Sequence, residues 1–241
     1  MRKGVCLVVL CGVLVVCGAA SAEEKAWSDQ AEFSLVNTTG NSEVTTISFK
    51  NDLKYTFNPK LLGLWKLGGL YGKSDGDTNA ERYFTELRLD YLFTERFYSY
   101  GNGGWYKDRF AGIDARWYGG AGVGYKLLTG PTHSLLGEVG LNYTTEDYTD
   151  GSSSEFVAAR LFGKYVYNFT EKNSFSQSLE FIEDTSRFSN YLLISETALT
   201  AALSTNLALK ATYTVRYDNE PVPDTFDETD TILGIALVVN F

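Results

Sequence analysis

The closing segment of the chain, Thr229 to Phe241, reads TDTILGIALVVNF and decides the fold. Large apolar side chains occupy every second position from Leu233 to Phe241. Because successive side chains of a β-strand point to opposite faces, this spacing predicts a strand with one strongly apolar face. Residues 207–218, LALKATYTVRYD, repeat the alternation with charged residues on the second face.

Twelve segments with this alternation follow one another along the chain. They span about 27–37, 43–57, 61–72, 81–93, 97–107, 113–128, 135–146, 154–169, 174–183, 190–203, 207–218 and 229–241. Each has about ten residues or more, enough for a tilted strand to cross a bilayer, whereas strands of soluble proteins have about five or six. The sequence therefore predicts an all-β fold, an antiparallel up-and-down transmembrane β-barrel of about twelve strands.

The connections between the segments alternate between two kinds. The short ones are 58–60, 94–96, 129–134, 170–173 and 204–206. The others, mostly longer and rich in Asp, Gly and Ser, are 73–80, 108–112, 147–153, 184–189 and 219–228, with a modest first connection at 38–42. Short periplasmic turns and longer extracellular loops are typical of bacterial outer-membrane barrels. We therefore expect the protein in the cell outer membrane, with both chain ends on the periplasmic side.

The chain begins with the pattern of a secretory leader. Arg2 and Lys3 precede an apolar run over Gly4–Val16, and Ala20-Ser21-Ala22 forms an A-x-A cleavage site. The run is too short to span a bilayer as a helix. We predict that residues 1–22 are a cleaved signal peptide and that residues 23–241 form the barrel. Lipid attachment at Cys17 is the lower-ranked alternative, because Val15-Val16 is bulkier than a lipid-attachment box prefers.

Composition excludes several functional classes. All three cysteines lie in the leader, so residues 23–241 have no disulfide, no cysteine metal site and no thiol nucleophile. The 30 acidic residues outnumber the 21 basic ones, which argues against nucleic acid as a partner. After residue 22 no apolar stretch approaches 18 residues, which excludes a helical membrane protein. We expect no cofactor.

In a membrane barrel the apolar face meets lipid and the polar face lines the lumen. The basic residues expected in the lumen are Lys50, Lys54, Lys66, Arg82, Arg88, Arg116, Lys126, Arg160, Lys164, Lys210 and Arg216. The acidic ones are Glu32, Asp52, Glu86, Asp90, Glu138, Glu180 and Glu196. Aromatic residues near the ends of the apolar face are typical of the girdles at the two membrane interfaces. These are Trp27, Tyr55, Trp65, Tyr71, Tyr91, Tyr125, Tyr143, Tyr167, Tyr213 and Tyr217.

Two interpretations of the lumen remain open at this point. The mixed charges form either a salt-bridged plug or the lining of a narrow, weakly selective pore, since twelve strands lie between the filled barrels of about eight and the open ones of about sixteen. The many long Arg and Lys side chains favour a narrow or obstructed lumen. The basic excess on the polar face predicts a preference for anions if a pore exists.

Phe241 is the candidate assembly signal. A terminal aromatic residue on an apolar-alternating strand resembles the signal read by the outer-membrane assembly machinery, which is therefore an expected partner. Outer-membrane lipid and lipopolysaccharide are the other expected partners.

Three stretches of the chain resemble one bacterial family. They are Trp27 with Gly40-Asn41-Ser42; Asp90 to Phe93 with Phe97-Tyr98, Asp108-Arg109-Phe110, Arg116 and Gly119 to Tyr125; and Tyr217 to Pro223 with Asp230 and Phe241. On these residues the chain is similar to the salt-induced outer-membrane protein family, YdiY-like domains of unknown function from Gram-negative bacteria. The likeness covers essentially everything after the leader. It implies an outer-membrane barrel and the link to salt, but no substrate and no catalytic residues.

Two motifs have a chemical and a structural interpretation. Gly119 to Gly124 has the look of a phosphate loop, but the chain continues as a strand where such a loop requires a helix. We expect Gly120, Gly122 and Gly124 to face the lumen and leave room for bulky neighbours. His133 is the one histidine, and it falls in a predicted periplasmic turn, badly placed to activate a nucleophile on the barrel wall.

The acidic connections raise the question of divalent cations. Asp75, Asp77 and Asn79 have the odd-position oxygen spacing of a calcium loop without its full twelve-residue pattern. The stretch 218–230 is similarly acidic. Acidic loops are more often simply solvated, so these residues have a solvated and a cation-binding interpretation.

We predict a non-enzymatic outer-membrane barrel, either a narrow pore or a component of envelope integrity that responds to salt or osmotic conditions. One alternative is a membrane-embedded lipid hydrolase that uses His133. Another is a surface adhesin or receptor that uses the acidic extracellular loops, which ordered loops folded over the barrel mouth would favour.

Overall fold

The structure is a computed structural model, and it describes residues 26–38 and 44–241. The leader, its cleavage site and the three cysteines lie outside the described residues, as does most of the first connection. The family-like residues Gly40-Asn41-Ser42 lie outside them as well.

Twelve antiparallel strands close into a single barrel, with each strand paired to its neighbours in the chain and the last paired to the first. The strands are β1 (Trp27–Thr38), β2 (Val44–Asn58), β3 (Leu61–Ser74), β4 (Asp77–Leu92), β5 (Phe97–Asp108), β6 (Ile113–Thr129), β7 (His133–Tyr148), β8 (Ser153–Asn168), β9 (Ser174–Asp184), β10 (Tyr191–Ala202), β11 (Leu207–Asp218) and β12 (Thr229–Asn240). The predicted architecture and strand count are confirmed. None of the helical segments in the described residues is long and apolar enough to cross a membrane.

The connection predicted over residues 73–80 is wrong, because β3 and β4 extend into it. Only Asp75 and Gly76 separate the two strands, and both have a positive φ, 51° and 91°. An Asp-Gly pair is the preferred sequence of a two-residue hairpin turn, since its positive φ values match the twist of the flanking strands. The sequence signal was present, but the acidic composition of the segment concealed it.

The predicted turn around residues 129–134 is shorter than expected, because His133 is the first residue of β7 and not a turn residue. Its ring stacks on that of Tyr167 at 4.9 Å between centroids, and its Nδ1 lies 2.8 Å from the Tyr165 hydroxyl. Both tyrosines belong to β8, the neighbouring strand. His133 is therefore part of an aromatic cluster on the outer surface, near the short turns.

The outer face of the barrel is apolar. Leu35 is 69% exposed and Leu233 is 76% exposed, which would be unfavourable in water for a whole surface of such residues. Aromatic pairs such as Tyr55 with Phe57 and Tyr91 with Phe93 lie beside the short turns. An apolar band edged by aromatic residues is the surface that a transmembrane barrel presents to lipid.

The closure between β1 and β12 is the shortest ladder of the barrel. It pairs only four residues, from Gln30 with Asn240 to Phe33 with Leu237. Every other neighbouring pair of strands is joined over at least ten residues. The barrel is thus closed by a seam that covers only part of the length of these two strands.

Candidate functional site in the barrel lumen

The glycines of β6 shape one wall of the lumen. A Cβ at Gly124 would lie 2.2 Å from the Tyr98 ring, one at Gly122 would lie 2.5 Å from the Tyr100 hydroxyl, and one at Gly120 would lie 1.9 Å from Asn142 Oδ1. These contacts are far shorter than the van der Waals radii allow. The side chains of Tyr98, Tyr100 and Asn142 can therefore lie across β6 only because the glycines have no side chains. The prediction that the glycine run makes room for bulky neighbours is confirmed.

Glu138 on β7 is the centre of a buried ion-pair cluster. Its carboxylate accepts hydrogen bonds from Arg88 Nη2 at 2.7 Å, Arg160 Nη1 at 2.8 Å and the Tyr98 hydroxyl at 2.6 Å. The Glu138 side chain is only 3% exposed. A carboxylate this deeply buried is stable because two guanidinium groups compensate its charge and fill its acceptor sites.

Tyr100 lies between the two arginines of this cluster. The Arg88 guanidinium is 4.1 Å from the centre of the ring, and Arg160 donates from Nη1 to the hydroxyl at 3.0 Å. Arg160 also pairs through Nε with Glu180 on β9 at 2.5 Å, and Arg88 pairs with Asp90 on its own strand at 2.6 Å. The cluster therefore joins β4, β5, β7, β8 and β9 and fills the lumen along that wall.

A second cluster crosses the lumen nearer the longer loops. Arg216 on β11 donates through Nη1 to the hydroxyl of Tyr106 on β5. Tyr106 in turn donates to Asp108 Oδ2 at 2.8 Å, and Arg82 Nε donates to the same oxygen at 2.5 Å. In the closed order of twelve strands, β5 and β11 lie opposite each other. The contact between Tyr106 and Arg216 thus bridges the barrel from wall to wall.

The remaining wall, from β10 through β1 to β3, carries lysines in looser contacts. Lys210 lies 2.7 Å from Glu32, whereas Lys50 to Glu196 and Lys66 to Glu86 are 3.9 and 3.8 Å. The side chains of Lys50 and Lys66 are 45% and 43% exposed, as is expected of groups beside a water-accessible space.

Lys54, Lys126 and Lys164 form no ion pair within the described part of the chain. Lys126 and Lys164 line a shared cavity at the short-turn end of the lumen, together with Arg96 and Glu95. Basic groups therefore outnumber acidic ones at that end of the lumen.

The loop between β11 and β12, residues 219–228, lies over the opposite mouth. Its Val222 carbonyl oxygen would be 1.8 Å from a Cβ at Gly112, the last residue of the connection between β5 and β6. Glu220 pairs with Arg187 of the β9–β10 loop at 2.9 Å, and Asn219 Nδ2 donates to the Ser189 carbonyl at 2.9 Å. The loop thus reaches across the mouth and is tied to its neighbours. We call residues 219–228 the lid loop.

The predicted basic excess in the lumen is wrong. The structure adds acidic residues to the inward face that the alternation pattern left out, because they lie at strand ends where the pattern is weakest. They are Asp108, Glu146, Asp184, Asp218 and Asp230. Glu146 pairs with Arg116 and accepts from the Tyr148 hydroxyl. The inward charges are therefore close to balanced, acidic toward the lid loop and basic toward the short turns.

The residues considered for cation binding do not surround a common point. Asp75 is in the hairpin turn, and Asp77 and Asn79 lie on the extended strand β4. Within residues 26–38 and 44–241, no three His, Cys, Asp or Glu side chains are grouped so as to hold a metal ion. In the β7–β8 loop, hydrogen bonds from the Ser152 hydroxyl and amide lower the pKa of Asp150, which marks it as a turn-stabilising carboxylate.

The fold and the lumen define the class of the protein: a closed twelve-stranded β-barrel with an apolar exterior and a charged interior, the architecture of membrane-spanning barrels. Its family follows from the sequence. Residues 31–241 match the family described as "Protein of unknown function, DUF481", and the chain belongs to it. The chain is 27% identical over 201 residues to the uncharacterized protein YdiY of Escherichia coli strain K12, covering 82% of this chain and 77% of that protein. The resemblance to YdiY-like domains is confirmed.

The fold is shared with one solved structure, and a second has a lower similarity to this chain. The translocator domain of the autotransporter NalP from Neisseria meningitidis superposes with a TM-score of 0.56 at 12% identity, over 91% of this chain and 89% of that one. The KdgM porin gives a TM-score of 0.48 at 10% identity, over 89% of this chain and 98% of that one.

Proposed function

We propose that this protein is a non-enzymatic barrel of the bacterial outer membrane whose lumen is obstructed and admits only water and small ions. The observation that carries the proposal is the wall-to-wall contact between Tyr106 and Arg216. The lid loop above it and the Glu138 cluster below it narrow the same passage. Along the wall from β10 through β1 to β3, the exposed side chains of Lys50 and Lys66 leave a water-accessible path.

Planar-bilayer conductance of the refolded protein tests the proposal. We expect small, rare conductance steps for the wild type and larger steps for Arg216→Ala, because that change removes the bridge. Tyr106→Phe, which deletes only the hydroxyl, should have a smaller effect in the same direction. Arg109→Ala is the control, since Arg109 lies on the β5–β6 connection and its side chain is 65% exposed. Its one ion pair among the described residues is a 3.7 Å contact with Glu81. A wild-type conductance as large as that of Arg216→Ala would contradict the proposal.

The charge distribution supports weak selectivity in place of the anion preference that the sequence predicted. Acidic groups gather beneath the lid loop, whereas Lys126 and Lys164 lie at the other end. We expect a reversal potential near zero in a salt gradient. A strong preference for one sign of ion would show that a single end of the lumen controls passage.

The lid loop also bears on the receptor alternative, because that alternative requires ordered loops folded over the mouth. The contacts of Val222 and Glu220 give the loop such an arrangement. Replacing residues 220–227 by a short glycine-serine linker separates the two functions. We expect this variant to conduct more and to leave adherence of intact cells unchanged; lost adherence with unchanged conductance would favour the receptor.

The salt link of the family leads to a test in cells. We propose that the barrel contributes to envelope integrity at raised salt, so a deletion strain should grow more slowly than its parent at high sodium chloride and equally at low salt. Equal growth under both conditions would remove this part of the proposal.

A further inference from the structure

The lumen contains an apolar surface that a water-filled polar interior does not require. Phe156 on β8, Ile182 on β9, and Leu192 and Ile194 on β10 all face inward. Leu192 is buried and the other three are partly exposed to the interior. They line a cavity of about 250 Å³ in the outer half of the lumen, which we call the outer chamber.

The facing wall of the outer chamber is polar. It carries Asn102 on β5, Tyr118 on β6 and Asn142 on β7, with the paired side chains of Arg116 and Glu146 beside them. The Tyr118 hydroxyl donates to Glu86 Oε2 at 2.8 Å, which fixes the ring against the wall. A cavity with one apolar side and a few placed polar groups is the usual form of a small-molecule site.

The chamber has a floor and a roof. Arg160 and Glu180, paired at 2.5 Å, lie below it, and Glu220 and Val222 of the lid loop lie above it. Its volume is just below the range of about 300–1,000 Å³ typical of small-molecule pockets, which fits an occupant of about one ring.

Four buried polar atoms of residues that line the chamber lack a hydrogen-bond partner among the described residues. One of them, Nε of Arg116, is in an ion pair with Glu146. The other three are Oδ1 of Asn102, Oδ1 of Asn142 and Nη2 of Arg216. Such atoms are rare in native proteins because each costs about 1–3 kcal/mol when buried without a partner. Two acceptors and one donor gathered around one cavity indicate that its wall is built for a polar partner that the protein does not supply.

The charges of the chamber limit what it can bind. Arg116 and Arg160 are paired with Glu146, Glu138 and Glu180. Glu220 pairs with Arg187, and Asp184 accepts hydrogen bonds from the hydroxyl and amide of Ser186. Arg216 and Asp218 form no ion pair among the described residues, but both line the chamber and their opposite charges compensate each other. Burying an unpaired charge is strongly unfavourable, and the chamber therefore suits a neutral occupant.

We infer that the outer chamber is a binding site for a small uncharged amphipathic molecule, with an apolar ring or chain against Phe156, Ile182 and Ile194 and hydroxyl or amide groups toward Asn102, Asn142 and Arg216. The site does not depend on whether the lumen conducts. Its test measures binding and not current, so the two proposals succeed or fail separately.

Methyl NMR of the barrel refolded in micelles tests the site, with benzyl alcohol as the probe. The δ1-methyl signals of Ile182 and Ile194 should shift and saturate, whereas Ile235 on the lipid face, 60% exposed, should shift only in proportion to the probe that enters the micelle. Benzoate and benzylammonium have the same ring and opposite charges. Each should bind at least about tenfold more weakly than benzyl alcohol, because its charge must be desolvated and the charges of Arg216 and Asp218 already compensate each other.

Filling the chamber provides the matched variant. Ile194→Trp should abolish the saturable shift at Ile182, and Ile235→Trp, the same change on the lipid face, should leave it intact. If Ile194→Trp fails to refold, Ile194→Ala replaces it: the enlarged chamber should bind 2-naphthalenemethanol at least tenfold more tightly than the wild type does. A response at Ile182 that is linear throughout, or benzoate binding as tightly as benzyl alcohol, would overturn the inference.

Discussion

Glu138 is the residue on which the filled wall of the lumen depends. It is 3% exposed and accepts hydrogen bonds from two arginines and a tyrosine on three other strands. Removing one partner of a buried ion pair leaves an uncompensated charge, which costs about 3–5 kcal/mol. The guanidinium groups of Arg88 and Arg160 would then lie together with less negative charge between them.

We therefore expect Glu138→Gln to destabilise the barrel by about 3–5 kcal/mol. Urea unfolding of protein refolded in lipid vesicles measures the change. Asp114→Asn is the control, because its ion pair with Lys107 is 2.6 Å long but 58% exposed on the Asp side, and exposed pairs contribute under about 1 kcal/mol. Equal effects of the two substitutions would mean that the Glu138 cluster does not stabilise the fold.

Gly124 provides a second prediction at the scale of one residue. Gly124→Ala places a methyl group 2.2 Å from the Tyr98 ring, which must move and lose its hydrogen bond to Glu138. Overpacking of this kind costs about 1–3 kcal/mol. On the same strand, Gly119→Ala meets nothing closer than 3.9 Å and should be nearly neutral. In a Tyr98→Ala background the cost of Gly124→Ala should largely disappear, and a persistent cost would point to the backbone instead.

At the scale of the element, the hairpin between β3 and β4 separates turn geometry from cation binding. Gly76 has a φ of 91°, which an L side chain rarely adopts, so Gly76→Ala should destabilise the barrel by about 1 kcal/mol. Asp75→Asn keeps a residue that tolerates positive φ and removes a carboxylate. We expect little change in stability from it, and no difference in its melting temperature with and without calcium. A calcium-dependent shift in the wild type that Asp75→Asn abolishes would restore the calcium prediction.

Alternation alone predicts the bounds of some strands and not of others. The bounds of β11 were predicted as observed, because its charged and apolar positions alternate to both ends. The start of β4 was missed by several residues, since Asp77 and Asn79 are polar residues on a strand that continues above the apolar band. Alternation with period two depends on contact with lipid, so it fades where strands extend beyond the hydrophobic layer.

At the scale of the whole molecule, the face of a strand is predictable but its partners across the lumen are not. Arg216 and Tyr106 are each on the polar face by simple alternation, yet they are 110 residues apart. Their contact depends on the number of strands and on the way in which the barrel closes. Neither property can be predicted from the sequence around Arg216 or Tyr106. The inward apolar residues of β8–β10 were missed for a related reason: a two-faced strand was assumed to be polar wherever it faced the lumen.

Phe241 allows a prediction about assembly. Its amide donates to the Asp29 carbonyl at 2.9 Å across the closure, and its ring is exposed on the outer face. We expect Phe241→Ala to reduce insertion into the outer membrane severalfold in cells while leaving the urea midpoint of the refolded protein nearly unchanged. Phe169→Ala, another exposed aromatic residue beside a short turn, is the control and should insert normally. An equal loss for both variants would indicate a general need for interfacial aromatics.

The short ladder between β1 and β12 determines where this barrel is kinetically weakest. A closed sheet opens only when all the hydrogen bonds between two neighbouring strands have broken. Between β1 and β12 four residue pairs must separate, whereas ten or more must separate between other neighbouring strands. Unfolding should therefore begin by parting the first strand from the last, and insertion should end by joining them. The lifetime of the protein in its membrane is then governed by the pairing from Gln30 to Phe33, however extensive the rest of the sheet.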